Sequence, residues 1–441
     1  MKDSRRLIYA IVVILAVTYI ASCKKSAPKK PATNLFSNGG NERNQIVVIS
    51  DMHLGADLTF TECKENLGAL ENLLTQIKAA PNVKELVIAG DLLDEWFVPA
   101  TLNTYQGKDQ AHFVQRIAAT NKDVIDALNS IIQEEKILVT YLPGNHDLTI
   151  TAENVDLILP GINQARDPEQ GLGTYSPAGQ PQIAIEHGHR YNFFCAPDPF
   201  SNQDIAPGTI TPPGYFFTRL AALYVSQGRP PAEDTLSVVT QNSSASESQD
   251  LLFAYWRVWN WAVNLFTIQN RFDENIIVTN VDKFTGTFSV KDLVPFQATV
   301  GGLIDVNLFK GIQETWNQRQ AHNRVAVHIP VERAIAGSAA VNESGEQAKI
   351  QYFLNPESEV RIVVFGHTHV PIMESSQNHL QQKSIYANSG TWIDHNTLSP
   401  TNRNFVVITP QNEEASSLTF VKLYHFENEA VTLMAEDSLR L

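Results

Sequence analysis

Ile46-Val47-Val48-Ile49-Ser50-Asp51-Met52-His53 is a continuous apolar run that stops at a carboxylate, with an imidazole two residues further on. Such a run marks a strand buried on both faces. The pattern returns at Glu85–Ala89, which ends at Gly90-Asp91, and at Ile137–Leu142, which ends at Pro143-Gly144-Asn145-His146-Asp147. Between these runs, Leu67, Leu70, Leu74 and Ile77 recur at helical spacing within 63–79, and Val124, Leu128 and Ile131 do so within 110–135. Pro81 and Asn82 break the first helix. The order β-α-β-α-β predicts parallel strands covered by helices. Polar residues at the C-terminal ends of such strands lie where open α/β sheets place ligands.

Beyond Thr174 the pattern changes. Tyr175-Ser176, a Pro177-Ala178-Gly179 turn and Gln182–Glu186 read as a hairpin that delivers His187-Gly188-His189. Short strands follow late in the chain at Val360–Phe365, Ser384–Ala387, Phe405–Thr409, Thr419–His425 and Ala430–Ala435. They predict a second, more antiparallel sheet. The expected fold class is α/β, with two facing mixed β-sheets flanked by helices. The core spans 45–195 and 350–441. Residues 196–349 do not fit it. They open with Pro197, Pro199, Pro207, Pro212 and Pro213, then turn helical near 215–226 and 250–272, with a loop at Ser243–Ser248 between. They read as a largely helical inserted cap. In the cap, Leu251–Ile268 holds Tyr255, Trp256, Trp259, Trp261 and Phe266, with Arg257, Asn260 and Asn264 on one stripe. A buried cap helix accounts for this, and an apolar lid or a face lying on lipid is the alternative. A membrane span is excluded if His187 and His367, which flank the segment, serve one site.

With 441 residues, 43% hydrophobic and 18% charged, the chain has ample length for a large core. Its net charge of −14 disfavours a nucleic-acid partner. Residues 1–22 read as a lipoprotein signal peptide: Lys2, Arg5 and Arg6 precede the apolar Leu7–Ile20, and Ile20-Ala21-Ser22-Cys23 resembles a bacterial lipobox. Cys23 then carries the lipid and 23–44 is a flexible tether. The implied place is the cell envelope, lipid-anchored to a membrane and facing the periplasm. Cys63 and Cys195 are either bridged or both unpaired.

Carboxylate, imidazole and amide oxygen together suit Mn, Fe, Zn or Co. Calcium takes imidazole poorly, and a zinc–thiolate site lacks its cysteine pairs. Two ions close together need a shared ligand, and Asp91 on its Gly90 turn is the natural bridge. The set D-x-H, G-D-x-x-D, G-N-H-D, H-G-H and G-H-x-H, ending at Gly366-His367-Thr368-His369, resembles the calcineurin-like metallophosphoesterase superfamily over about residues 45–195 and 350–409. The resemblance implies a metallophosphoesterase sandwich holding two divalent transition metals. Asp51, His53, Asp91 and His369 would take the first, and Asp91, Asn145, His187 and His367 the second. His146 would be the general acid or charge stabiliser, with Asp147 orienting its imidazole.

The implied activity is phosphoester hydrolysis by in-line attack of a metal-bound hydroxide, on a small-molecule or lipid-linked ester. Alternatives are a pyrophosphate or phosphodiester hydrolase acting on a nucleotide-sugar or lipid-linked substrate, and a non-catalytic metal-stabilised binding lipoprotein. Gly90–Trp96 also resembles the UDP-diacylglucosamine hydrolase branch, although an export signal sits poorly with that cytoplasmic role. His189 is a candidate substrate contact, with a structural hydrogen bond as its equal. Asp94 is expected to brace a ligand, Arg190 to form a surface ion pair, and Asn388-Ser389-Gly390-Thr391 to turn the chain after the last motif.

Overall fold

None of the five side chains of β1 (Gln45–Ile49) faces water, so the strand needs neighbours on both edges and cover on both faces. The chain supplies them in order: α1 (Leu67–Ala79), β2 (Val83–Ala89), α2 (Gln110–Thr120), α3 (Lys122–Glu134), β3 (Leu138–Leu142), α4 (Ala152–Ile158) and β4 (Asn163–Gln164), then the hairpin β5 (Thr174–Tyr175) and β6 (Ile183–Glu186). The computed structural model describes residues 36–441 except 39, 232–237, 243–245, 269–272, 339, 341, 397–398, 400 and 413–416. The expected signal segment 1–22, Cys23 and the expected tether as far as residue 35 lie outside the described residues, as does part of the loop expected at Ser243–Ser248.

After the insertion come β11 (Ile362–Phe365), β12 (Ile372–Gln377), β13 (Lys383–Asn388), β14 (Asn404–Thr409), β15 (Thr419–Glu427) and β16 (Ala430–Leu439). Two sheets result, ordered β16-β15-β14-β1-β2-β3-β4 and β12-β13-β11-β6-β5. Strands β1, β2 and β3 are parallel, as expected. The assignment of the late strands needs correction. β14, β15 and β16 extend the first sheet, because β14 pairs antiparallel with the otherwise open edge of β1. The centre of the second sheet is parallel, β6-β11-β13, and only its flanks β5 and β12 run antiparallel.

Strand periodicity builds the core. Ile46, Val48, Val87 and Ala89 face inward and meet Ile183, Ile185, Ile362 and Val364 of the second sheet. The alternate residues Val47, Ile49, Leu86 and Ile88 pack under Leu70, Leu74 and Ile77 of α1 and Val124 and Leu128 of α3. Each such burial stabilises by about 1.5–3 kcal/mol. The single helix expected over 110–135 is two. Asn121 breaks it, and its amide donates to the carbonyls of Gly55 and Ile117, both at 2.9 Å. The end of the expected tether is docked: Phe36 is buried against Phe405, and Asn82 donates to the carbonyls of Gly40 and Glu42.

The insertion contains α5 (Pro213–Ser226), α6 (Glu247–Leu265), β7 (Ile277–Val281), β8 (Phe284–Phe288), α7 (Val290–Leu293), β9 (Phe296–Gln297), β10 (Ile304–Asp305), α8 (Trp316–His322), α9 (Val331–Gly337) and α10 (Glu343–Ala348). It is thus helical with two β-hairpins. The hairpin β7–β8 turns at Asp282 and Lys283, both at positive φ, a conformation usually marked by Asn-Gly or Asp-Gly. Two buried arginines fasten the insertion. Arg219 donates to the carbonyls of Val98 at 2.6 Å, Leu102 at 2.6 Å and Val278 at 3.0 Å, and Arg319 to those of Phe193 at 2.7 Å and Pro197 at 3.0 Å. Among the described residues no helix is long and apolar enough to cross a membrane.

Candidate metal centre

The C-terminal ends of β1, β2, β3, β6 and β11 meet, and the loops that leave them carry the five motifs. The first two loops are tied together by the Asp51 amide on the Gly90 carbonyl and the Met52 and His53 amides on the Asp91 carbonyl. Asp51, His53, Asp91 and His369 each offer one ligand atom, and all four atoms lie within 4.8 Å of one another. His53 Nε2 is 3.1 Å from His369 Nε2, which is 3.2 Å from Asp51 Oδ1. In the second set, Asn145 Oδ1 lies 3.1 Å from His187 Nε2 and 2.8 Å from His367 Nδ1. Asp91 belongs to both sets: its Oδ2 is 3.6 Å from His53 Nε2 and 3.1 Å from His187 Nε2.

The backbone is strained to achieve this. Asp51, His53, Asp91, His367 and His369 all have φ between 49° and 72°. Non-glycine residues in that region cost about 1–3 kcal/mol each and gather at functional sites. The glycines beside them have no substitute. A Cβ on Gly144 would stand 2.1 Å from Asp91 Oδ1, and one on Gly90, at φ 87°, would stand 2.4 Å from His187 Nδ1.

Electrostatics favour a cation. Asp51, Asp91 and Asp94 are fully buried, and their ion-pair partners among the described residues are all histidines. Burial opposes ionisation of Asp91, yet His187 and His146 outweigh it and hold the carboxyl well below its usual range. Burial likewise opposes charge on His187, but Asp91 and Asp51 raise it to about 9. Burial, followed by His187, pushes His367 down to about 3. Three interior carboxylates whose charged partners among the described residues are imidazoles alone form a donor set that fits divalent metal ions. Hydrogen bonds fix the tautomers to suit. His187 Nδ1 faces the Ala89 carbonyl at 2.8 Å and His53 Nδ1 faces Asp94 Oδ2 at 3.0 Å, so each Nε2 points to the centre.

The role expected of Asp147 is corrected. Its carboxylate accepts from the backbone N–H of Gly144 at 2.7 Å, Leu92 at 2.9 Å and Leu93 at 3.2 Å. The turns after β2 and β3 aim these interior amides at one point, and Asp147 satisfies all three. Asp94 does what was expected of Asp147: His146 Nδ1 lies 2.9 Å from Asp94 Oδ1. The His146 ring also stacks on Trp96 at 4.9 Å, which leaves Nε2 for the cavity. Neither Trp96 nor Glu62, whose Oε2 lies 3.5 Å from His53 Nδ1, was foreseen in these roles. Trp96 sits in the Gly90–Trp96 segment and was open to notice; Glu62 lies in an irregular loop with no local signal.

Other residues fall as follows. His189 is buried, with Nε2 on the Gly171 carbonyl at 3.0 Å, and it does not line the cavity, so substrate contact gives way to the structural reading. Arg190 pairs with Glu186 and Asp167, both at 2.7 Å, but in the interior rather than at the surface. Asn388 Nδ2 donates to the Gly366 carbonyl at 2.6 Å and steadies the last motif. Cys63 and Cys195 are free thiols. A cavity of about 380 Å³ opens over the centre, lined at its base by Asp91, Asn145, His146, His367 and His369.

Residues 45–212 match the calcineurin-like phosphoesterase family. No curated protein sequence matches the chain. Among solved structures, the chain is similar to a Vps29 variant from Entamoeba histolytica, with 10% identity over 90% of this chain and 99% of that one and a TM-score of 0.29. The nuclease MPE of Pseudomonas putida shares 18% identity over 33% of this chain and 54% of that one, with a TM-score of 0.21. The calcineurin-like phosphoesterase YfkN of Bacillus subtilis shares 8% identity over 90% and 89%, with a TM-score of 0.25. The match to the calcineurin-like phosphoesterase family thus covers the segment that carries Asp51, His53, Asp91, Asn145, His146 and His187.

Proposed function

We propose that the protein hydrolyses phosphoesters at a centre of two divalent metal ions that share Asp91. The observation that carries this reading is the position of Asp91 Oδ2, 3.6 Å from His53 in one donor set and 3.1 Å from His187 in the other. Two ions so held would supply Lewis acidity to the phosphoryl oxygens and an activated water for in-line displacement. The chain's own residues do the rest. Asp94 holds His146 by Nδ1 and Trp96 fixes the ring plane, so the opposite nitrogen can hand a proton to the departing oxygen. No side chain needs to become phosphorylated. A purely structural metal site would have no use for this Asp94–His146 pair at the cavity, which counts against a non-catalytic binding lipoprotein.

The test is turnover of p-nitrophenyl phosphate and bis-p-nitrophenyl phosphate by protein purified without chelator. Hydrolysis that EDTA abolishes and Mn²⁺ restores is expected, and the preferred ester assigns mono- or diesterase. His146→Ala should lower turnover by about 10²–10⁴ while metal content holds; unchanged turnover removes His146 from the mechanism. We place the enzyme on the cell envelope, facing the periplasm through a lipid on Cys23, on the strength of the basic, apolar and Ile20-Ala21-Ser22-Cys23 segments. Incorporation of a fatty-acid label, lost in Cys23→Ala, is the expected result, and an unlabelled protein would refute it.

A further inference from the structure

We infer that the ester cleaved here bears one phosphate and an apolar aryl or alkyl group, which lies along the inner edge of α6. The inference rests on the hydrolase reading above and names its substrate class. The cavity runs from the metal end to a wall built by Phe194, Phe217, Val258, Trp261, Ala262 and Phe266. Among the described lining residues none is Lys or Arg, and the one charged group away from the metal end is Glu343, held by Gln347 at 2.6 Å. The metal end can neutralise one phosphate. A second anionic group would meet apolar surface, neutral groups such as Thr218, Ser338 and Gln347, or the Glu343 carboxylate, with no cation among the described lining residues to pair it. Nucleotide diphosphates and other pyrophosphates therefore fit this cavity poorly.

The three tryptophans of α6 separate cleanly. Trp259 is fully buried and stacks on Phe217 at 3.9 Å, and Trp256 is buried beside Phe253. Trp261 stands on the cavity rim with 53% of its surface exposed. A large apolar side chain left half-open at the mouth of a site is free to cover an apolar ligand. The wall is preformed: Arg219 ties α5 to the loop after β2 through the Val98 and Leu102 carbonyls, and Phe217 of α5 packs on Phe194 and stacks on Trp259 of α6. A preformed wall takes apolar ligands without an ordering cost.

The test uses the full-length protein loaded with Mn²⁺ and n-alkylphosphonates, which cannot be hydrolysed, from butyl to octyl. Calorimetry should give a Kd that falls about twofold to fourfold per methylene, as burial of each group predicts. Trp261→Ala, at an exposed position that the fold tolerates, should flatten that dependence. 3-Phosphonopropionate, with its second anion, should bind at least about tenfold more weakly than butylphosphonate, and Glu343→Gln should narrow the gap. An affinity independent of chain length, or 3-phosphonopropionate bound as tightly as butylphosphonate, overturns the inference. Turnover of p-nitrophenyl phosphate on the same sample separates the two readings. Turnover with flat phosphonate binding sinks the substrate class alone. Absent turnover with steep chain-length dependence sinks the hydrolase and leaves the apolar site standing.

Discussion

At the metal end of the cavity, seven side chains come from five strand ends, and five of them sit at positive φ. At the cap end, six apolar side chains form the wall, and none has a positive φ. The first end depends on residue identity, since its chemistry needs charged carboxylate oxygens and imidazole nitrogens at fixed points, which few other side chains supply. The second depends on volume and apolarity, which many side chains supply. Substitutions should therefore behave differently at the two ends.

The largest effect is expected at the bridge. Asp91→Ala should reduce turnover at least about a thousandfold and lower metal content, since the loss removes a ligand from both donor sets. Survival of activity would break the contrast. Next comes the fastening of the cap. Arg219→Met should lower stability by on the order of 3 kcal/mol, because several carbonyls lose their donor, and metal content should hold. A thermal melt beside a metal assay decides it. Third, Asp94→Asn should cost about 10–100-fold in turnover or metal affinity, as loss of a carboxylate behind a ligand does. Asp147→Asn should leave kcat within about threefold and instead lower the melting temperature, since its partners are backbone amides. The reverse pattern would restore the role first expected of Asp147.

The smallest effect concerns pH. Glu95 lies fully buried against Tyr105 and Thr149, and burial raises its carboxyl from 4.5 to about 7. Because the folded value is raised, the folded protein binds the extra proton between pH 4.5 and 7. This contribution to stability is full below pH 4.5 and is lost as pH rises through 7. Its slope is at most about 1.4 kcal/mol per pH unit. Glu95→Gln should remove that slope from denaturation curves taken between pH 5 and 8, and an unchanged slope would refute the assignment.

The same contrast explains what the sequence disclosed. Asp51, Asp91 and Asn145 were legible because each closes or follows an apolar run, and because their chemistry is rare at strand ends. The parallel order of β1, β2 and β3 followed from the helices between them. The partner of β14 was not legible. Strand pairing across more than three hundred residues leaves no local trace, and Phe405–Thr409 reads equally well in either sheet. Asp147 was misassigned because sequence adjacency to His146 suggested contact, whereas the turn directs its carboxylate to the amides of Gly144, Leu92 and Leu93. Nor did periodicity disclose that Trp261 would stand at the rim while Trp259, two residues earlier, is enclosed.

The central claim is two ions sharing Asp91. Native mass spectrometry of the protein, reconstituted with Mn²⁺ or Zn²⁺ and freed of excess metal, tests it most directly. Two ions per chain are expected, with one retained in His369→Ala, whose side chain serves only the first set, and neither held firmly in Asp91→Ala. A wild-type chain with one ion or none, or a His369→Ala chain that still holds two, would contradict the shared centre.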